Sequence, residues 1–132
     1  MPKSLPDRLK SWLDGRSFPV VATVDPDGRP QLSIVWAKRD GDTVLFSTLR
    51  DRRKGRNLTR DPSVTVLVTN PGTPYEYVEI RGIAELVDDA DGSLIKELGL
   101  RYNGEDFVEP EEKSARRVIV RVTAEHIVEY VD

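Results

Sequence analysis

The residues of this chain with the clearest chemical potential are basic and close together. Arg50, Arg52, Arg53, Lys54, Arg56 and Arg60 stand within eleven positions, and Asp51 is the one acidic residue among them. The window therefore carries +5 in a chain of 132 residues whose net charge is −3, which leaves −8 for the remainder. Ser47 and Thr48 stand just ahead of it. Hydroxyls, a helix start and several guanidinium or ammonium groups suit a phosphate or another compact anion. Arginine grips such oxygens two at a time and lysine adds a point charge. A solvated helix face is the other reading of the same run.

Two further segments qualify. Residues 30–36, Pro-Gln-Leu-Ser-Ile-Val-Trp, alternate a polar face (Gln31, Ser33) with an apolar one (Leu32, Ile34, Trp36). That face can offer donors to a planar heterocycle, and an ordinary amphipathic strand reads the same way. Tyr75-Glu76-Tyr77-Val78-Glu79 follows a Pro/Gly-rich stretch and suits a pocket wall or a subunit contact. With no Cys and one His (His126), disulfides, thiolate zinc sites, a Cys nucleophile and a His pair on a metal are all excluded. No serine triad, HExxH, Walker loop or GxGxxG occurs. Any catalysis would then need a bound cofactor to carry it.

These residues must be positioned by short elements. Leu5, Leu9, Trp12 and Leu13 predict a first helix, with Ser4 as its cap and Gly15 as its stop. Residues 18–24, 31–37 and 43–49 read as a three-stranded antiparallel meander, turned at Asp25-Pro26-Asp27-Gly28 and Asp40-Gly41-Asp42. Residues 50–61 read as a short helix closed by Pro62. The β-branched run 63–69 predicts a central strand, 70–74 a loop, and 75–87 a long strand with a bulge at Gly82. A helix over 88–103 and two strands, 118–122 and 127–131, complete one domain spanning 1–132. Mainly β with few helices argues for a barrel or sandwich. No apolar run of about 18 residues is present, so no membrane span is expected. The first dozen residues carry no secretory pattern, so a cytoplasmic location is expected.

Read in order, the segments resemble a known family. They are Ala22-Thr23-Val24, Asp27-Gly28-Arg29-Pro30-Gln31, Val35-Trp36, Asp40-Gly41-Asp42, Phe46-Ser47-Thr48, and Arg52-Arg53-Lys54-Gly55-Arg56-Asn57-Leu58 with Arg60-Asp61-Pro62. Val78-Glu79-Ile80-Arg81-Gly82 and Ala84-Glu85-Leu86 complete the set. Together they resemble the pyridoxamine-phosphate-oxidase-like split β-barrel family, and more narrowly its branch of small oxidoreductases that use the deazaflavin coenzyme F-420 (FDOR-B type). The resemblance implies an antiparallel Greek-key split barrel of the FMN-binding type, paired as a homodimer with cofactor sites at the interface. It implies that Arg52, Lys54 and Arg56 hold the anionic cofactor tail, with Ser47, Thr48 and Asn57 beside them. It further implies that the strand bearing Gln31, Ser33, Val35 and Trp36 faces the deazaflavin ring.

The FMN-dependent pyridoxamine-phosphate oxidases are longer and carry an Arg/Trp-bearing C-terminal segment. This chain ends at His126-Ile127-Val128-Glu129-Tyr130-Val131-Asp132, so oxidation of pyridoxamine phosphate is not expected. The expected activity is hydride transfer from reduced F-420 to an electron-poor small molecule of the enone, quinone or tetrapyrrole class. No side chain stands out as the proton donor; Tyr77 is the candidate, with solvent as the alternative. An FMN flavoprotein and a non-catalytic cofactor carrier are the rival readings. Nucleic-acid binding is not expected, because few aromatic residues interleave with the basic ones.

Overall fold

Two tight turns set up the first strands. Gly28 (φ 88°) and Gly41 (φ 60°) adopt left-handed backbone where the chain reverses, which a residue with a Cβ adopts only at a cost. The computed structural model describes residues 2–131. Its elements are α1 (Asp7–Asp14), β1 (Val20–Val24), β2 (Pro30–Ile34), β3 (Lys38–Asp40), β4 (Thr43–Leu49), α2 (Arg53–Arg60), β5 (Ser63–Asn70), β6 (Thr73–Asp88), α3 (Ser93–Asn103), α4 (Glu111–Ser114) and β7 (Arg117–Tyr130). The seven strands form one antiparallel sheet in the order β2-β1-β5-β6-β7-β4-β3. This is the mainly β split-barrel architecture that the resemblance implied.

The three-stranded meander is corrected. The β1–β2 and β3–β4 hairpins stand at opposite edges of the sheet, because β5, β6 and β7 come between β1 and β4. Three local expectations also change. Ser4 does not cap α1; Pro6 precedes the helix and no side chain caps it. Residues 70–74 are a two-residue turn at Pro71-Gly72, with β6 already under way at Thr73. The last two strands are one, β7, bent where the β6–β7 register shifts between Arg81 and Gly82.

The main core lies inside the curled sheet. Val21, Phe46, Val66, Ile80 and Val120 fill it, and α1 lays Leu5, Leu9 and Leu13 onto it. A smaller core of Leu45, Leu94, Leu98 and Tyr102, with Trp36 against it, seats α3 on the outer face of β4. Tyr102 anchors this second core. Its hydroxyl donates to the Ser17 carbonyl (2.6 Å) and accepts from the Ala37 amide (3.1 Å). Its ring stacks on Trp36, with centroids 5.3 Å apart.

Candidate functional site

Strand alternation sorts the neighbours Ser47 and Thr48. Phe46 belongs to the inner core and Leu45 to the outer one, so Thr48 turns inward with Phe46 and Ser47 outward with Leu45. Thr48 is buried, and its hydroxyl has no hydrogen-bond partner among the described residues. Ser47 lines an outer pocket of about 250 Å³ together with Val35, Trp36, Arg52, Lys54 and Arg117. Ile34, Ile95 and Phe107 complete its apolar side. Four stretches of chain supply the polar and indole side chains: residues 34–36 at the end of β2, then β4, the start of α2 and the start of β7.

The cations of this pocket are unevenly matched. Lys54 is half-buried, and neither it nor Arg52 meets a carboxylate among the described residues. Arg117 is 4% exposed. It donates Nε and Nη2 to Glu109 (2.9 and 3.2 Å), comes within 3.5 Å of Ser47 Oγ, and covers the Phe107 ring. Arg52 stands at the N-cap of α2 with no side-chain cap, so the helix start adds partial positive charge. Two cations without counter-ions, one half-buried beside a third, fit an anionic group of a ligand. The Trp36 indole and the Ile34 side chain offer apolar surface beside them. The donor set thus suits a cofactor with an anionic tail and a flat ring.

The sequence model of the pyridoxamine 5'-phosphate oxidase family matches residues 5–130. The chain belongs to that family. Among solved structures, an F-420 reductase is similar over 94% of this chain and 98% of its own, at 35% identity and a TM-score of 0.83. A conserved hypothetical protein of Mycobacterium tuberculosis shares the fold over 98% of this chain and 86% of its own, at 22% identity and a TM-score of 0.77. A pyridoxine/pyridoxamine 5'-phosphate oxidase of Anaplasma phagocytophilum is 35% identical over 82 residues, 61% of this chain and 39% of that enzyme. The chain thus spans about two fifths of the length of that curated relative. Its family is one of oxidoreductases built on the split barrel.

Within this family member, the residues singled out from sequence divide into groups. Val35, Trp36, Ser47, Arg52 and Lys54 meet in the outer pocket. Gln31 and Ser33 do not line it. They are half-buried on the other face of β2, where Gln31 accepts from Thr23. Arg56 and Asn57 lie around α2, in a separate cleft with Asp25, Arg53 and Arg60. Asn57 is buried and donates to Thr23 Oγ1 and Asp25 Oδ1 (both 3.0 Å), so it fastens α2 to β1. Tyr77 stacks on Tyr130 near the start of β6, at the far end of that strand from Asp88, which pairs with Val118 beside the pocket. Within one chain it does not reach the pocket.

Charge matching also divides the basic run. Arg53 is held by Asp25 (Nε–Oδ1 2.9 Å), Arg50 by Asp88 and Arg116 by Asp51. The Arg53 and Asn57 hydrogen bonds hold the Asp25 carboxyl below the usual carboxylate range.

Arg117 was missed by sequence reading. Its one signal was the pair Arg116-Arg117 just ahead of a β-branched run, outside the basic window. A buried ion pair is weak evidence for stability, since desolvation offsets most of its attraction. The Arg117–Glu109 pair is better read as fixing position: it ties residues 105–110 to the pocket. Arg117 also holds the Glu109 carboxyl below its ordinary value, against the opposing effect of burial.

Lys54 titrates below the usual lysine range. Burial comes first among the causes, then the like charges of Arg52 and Arg117. The unfolded chain therefore binds this proton more tightly than the folded one. The cost to stability is present while Lys54 is charged and is relieved as pH rises past its lowered pKa. A bound anion reverses the preference. Affinity for sulfate, whose own charge is constant over this range, is thus expected to fall as pH rises through the lowered Lys54 pKa, before an ordinary lysine would deprotonate. NMR titration from neutral to alkaline pH reads this directly. Lys54→Arg keeps its charge and should hold the affinity to higher pH.

Proposed function

We propose that this chain is an F-420-dependent reductase acting as a homodimer. The observation that carries the reading is Lys54: a half-buried cation beside Arg52 and Arg117, without a carboxylate of its own. The full-length similarity to an F-420 reductase supports it. When bound, the reduced deazaflavin supplies a hydride. The chain's own residues do the rest. Lys54 and Arg52 would neutralise the first anionic group, beside Arg117, which Glu109 already matches. Val35 and Trp36 would hold the ring, and Ile34 and Ile95 would shield it from water.

A longer anionic tail is favoured over the single phosphate of FMN by the positive charge that α2 carries beyond the pocket. A cleft of about 500 Å³ lined by Arg50, Arg56, Thr59, Arg60 and Arg116, with Asp51, continues the positive surface around α2.

The homodimer rests on two observations. The pocket of one chain, about 250 Å³, is smaller than the roughly 300–1,000 Å³ of ligand sites, which suits a site completed by a second copy. Beside it, Phe18, Leu32 and Ile34 are 60%, 62% and 68% exposed on one edge. An apolar group of this kind commonly marks an interface. The apolar face of β2 thus points outward.

Titration with F-420 and with FMN tests the reading. F-420 is expected to bind about tenfold more tightly or better, and light scattering to report a dimer. A protein that purifies yellow with FMN and ignores F-420 overturns the cofactor assignment. Tight F-420 binding without reduction of any quinone or enone leaves the carrier reading in its place.

A further inference from the structure

A cavity of about 740 Å³ lies between the start of α3, residues 105–110 and α4. Ile95 and Phe107 line both this cavity and the cofactor pocket, so the two share a wall. We propose that this cavity is the subsite for the electron acceptor, and that it takes an uncharged, planar apolar acceptor and turns away anionic ones. The proposal rests on the reductase reading above and narrows its substrate class.

Its volume lies within the usual range for small-molecule sites. Ile95, Phe107 and Val108 give it an apolar lining, and Val108 is 86% exposed at the mouth. The wall is held in place from two sides. Arg117 covers the Phe107 ring and pairs with Glu109. Gly99 of α3 lets residues 105–107 pack close, since a Cβ there would stand 3.0 Å from Phe107 Cβ. Arg117 thus links an anion in one cavity to the position of the wall in the other.

Charge sets the selectivity. Glu109 is matched by Arg117, which leaves Asp91, Asp106 and Glu111 against Lys96 alone in the lining. None of these three carboxylates has an ion-pair partner among the described residues. A sulfonate or carboxylate on the acceptor meets net repulsion there, while a neutral quinone does not. Arg52 and Lys54, which would hold the anionic cofactor tail, line the other side of the shared wall. Reduction of a quinone takes one hydride, supplied by the reduced deazaflavin, and one proton from solvent. The quinone becomes the hydroquinone as the cofactor is oxidised.

The test compares 1,4-naphthoquinone with its 2-sulfonate by NMR shift mapping on the protein without cofactor. The absence of Cys removes thiol addition as a competing reaction. The neutral quinone is expected to shift the amides of Ile95, Phe107 and Val108, and to bind about tenfold more tightly than the sulfonate. Asp106→Lys combined with Glu111→Lys should close that gap. Shifts confined to another face, equal binding of the two quinones, or a gap that survives the double variant overturns the subsite. A chain that binds the quinone here and fails to bind F-420 keeps the subsite and overturns the reductase reading. One that binds F-420 with the quinone elsewhere does the reverse.

Discussion

Lys54→Glu is expected to weaken F-420 binding by about 100-fold, or about 3 kcal/mol, and to leave the empty protein at least as stable as before. The two halves of this expectation have one cause. In the empty protein Lys54 is charged, half-buried and next to Arg52 and Arg117, so burial and like charges both oppose its protonated form. A glutamate there meets two cations instead of joining them, and its folded state gains rather than loses. With an anionic tail bound the balance reverses, because attraction becomes repulsion across a partly desolvated contact. Lys54→Met removes the charge without reversing it and should cost about tenfold. Thermal melts and F-420 titrations on the same samples read both halves. Unchanged affinity would remove Lys54 from the site. A large fall in melting temperature would make it a structural residue.

The position of Lys54 was legible in the sequence, and the company it keeps was legible only in part. The resemblance named Trp36, Ser47, Arg52 and Lys54 for one site, and these four line one pocket. The resemblance grouped Arg56 with them, yet residues two apart on a helix point about 200° apart. That is why it faces Arg60 and Asp51 instead. Alternation in residues 31–36 showed two faces and could not show which one the sheet encloses. Asp25, Asp51 and Asp88 decide which cations are spare, and two of them come from well outside the basic window. The meander failed for a related reason. Turn residues specify a hairpin locally, while the neighbour of a hairpin is chosen by contacts distant in sequence. Gly82 is the opposite case, since an isolated glycine in a long strand marks a close approach whatever the topology.

Gly82→Ala is expected to destabilise the fold by about 3 kcal/mol and to lower the melting temperature by roughly 10 °C. A Cβ at this position would stand 2.0 Å from the carbonyl oxygen of Thr123 and 3.3 Å from Cα of Ala124. Both are backbone atoms of β7, so no rotamer change relieves the clash. The site of the clash is also where the β6–β7 register shifts, at the centre of the sheet. Relief therefore means moving two paired strands apart or losing the bulge that bends them. Gly82 lies within β6, whereas the candidate site lies at the end of β6 and the start of β7, beside Val118 and Asp88. Folded Gly82→Ala protein should accordingly bind F-420 with near wild-type affinity once the unfolded fraction is accounted for. The two substitutions then separate cleanly: Lys54→Glu moves affinity and spares stability, and Gly82→Ala does the reverse. Denaturant melts combined with F-420 titration read both quantities. A Gly82→Ala protein as stable as the parent would mean that β7 passes β6 at a greater distance than 2.0 Å from that Cβ implies. The bend of the long strands would then need another cause.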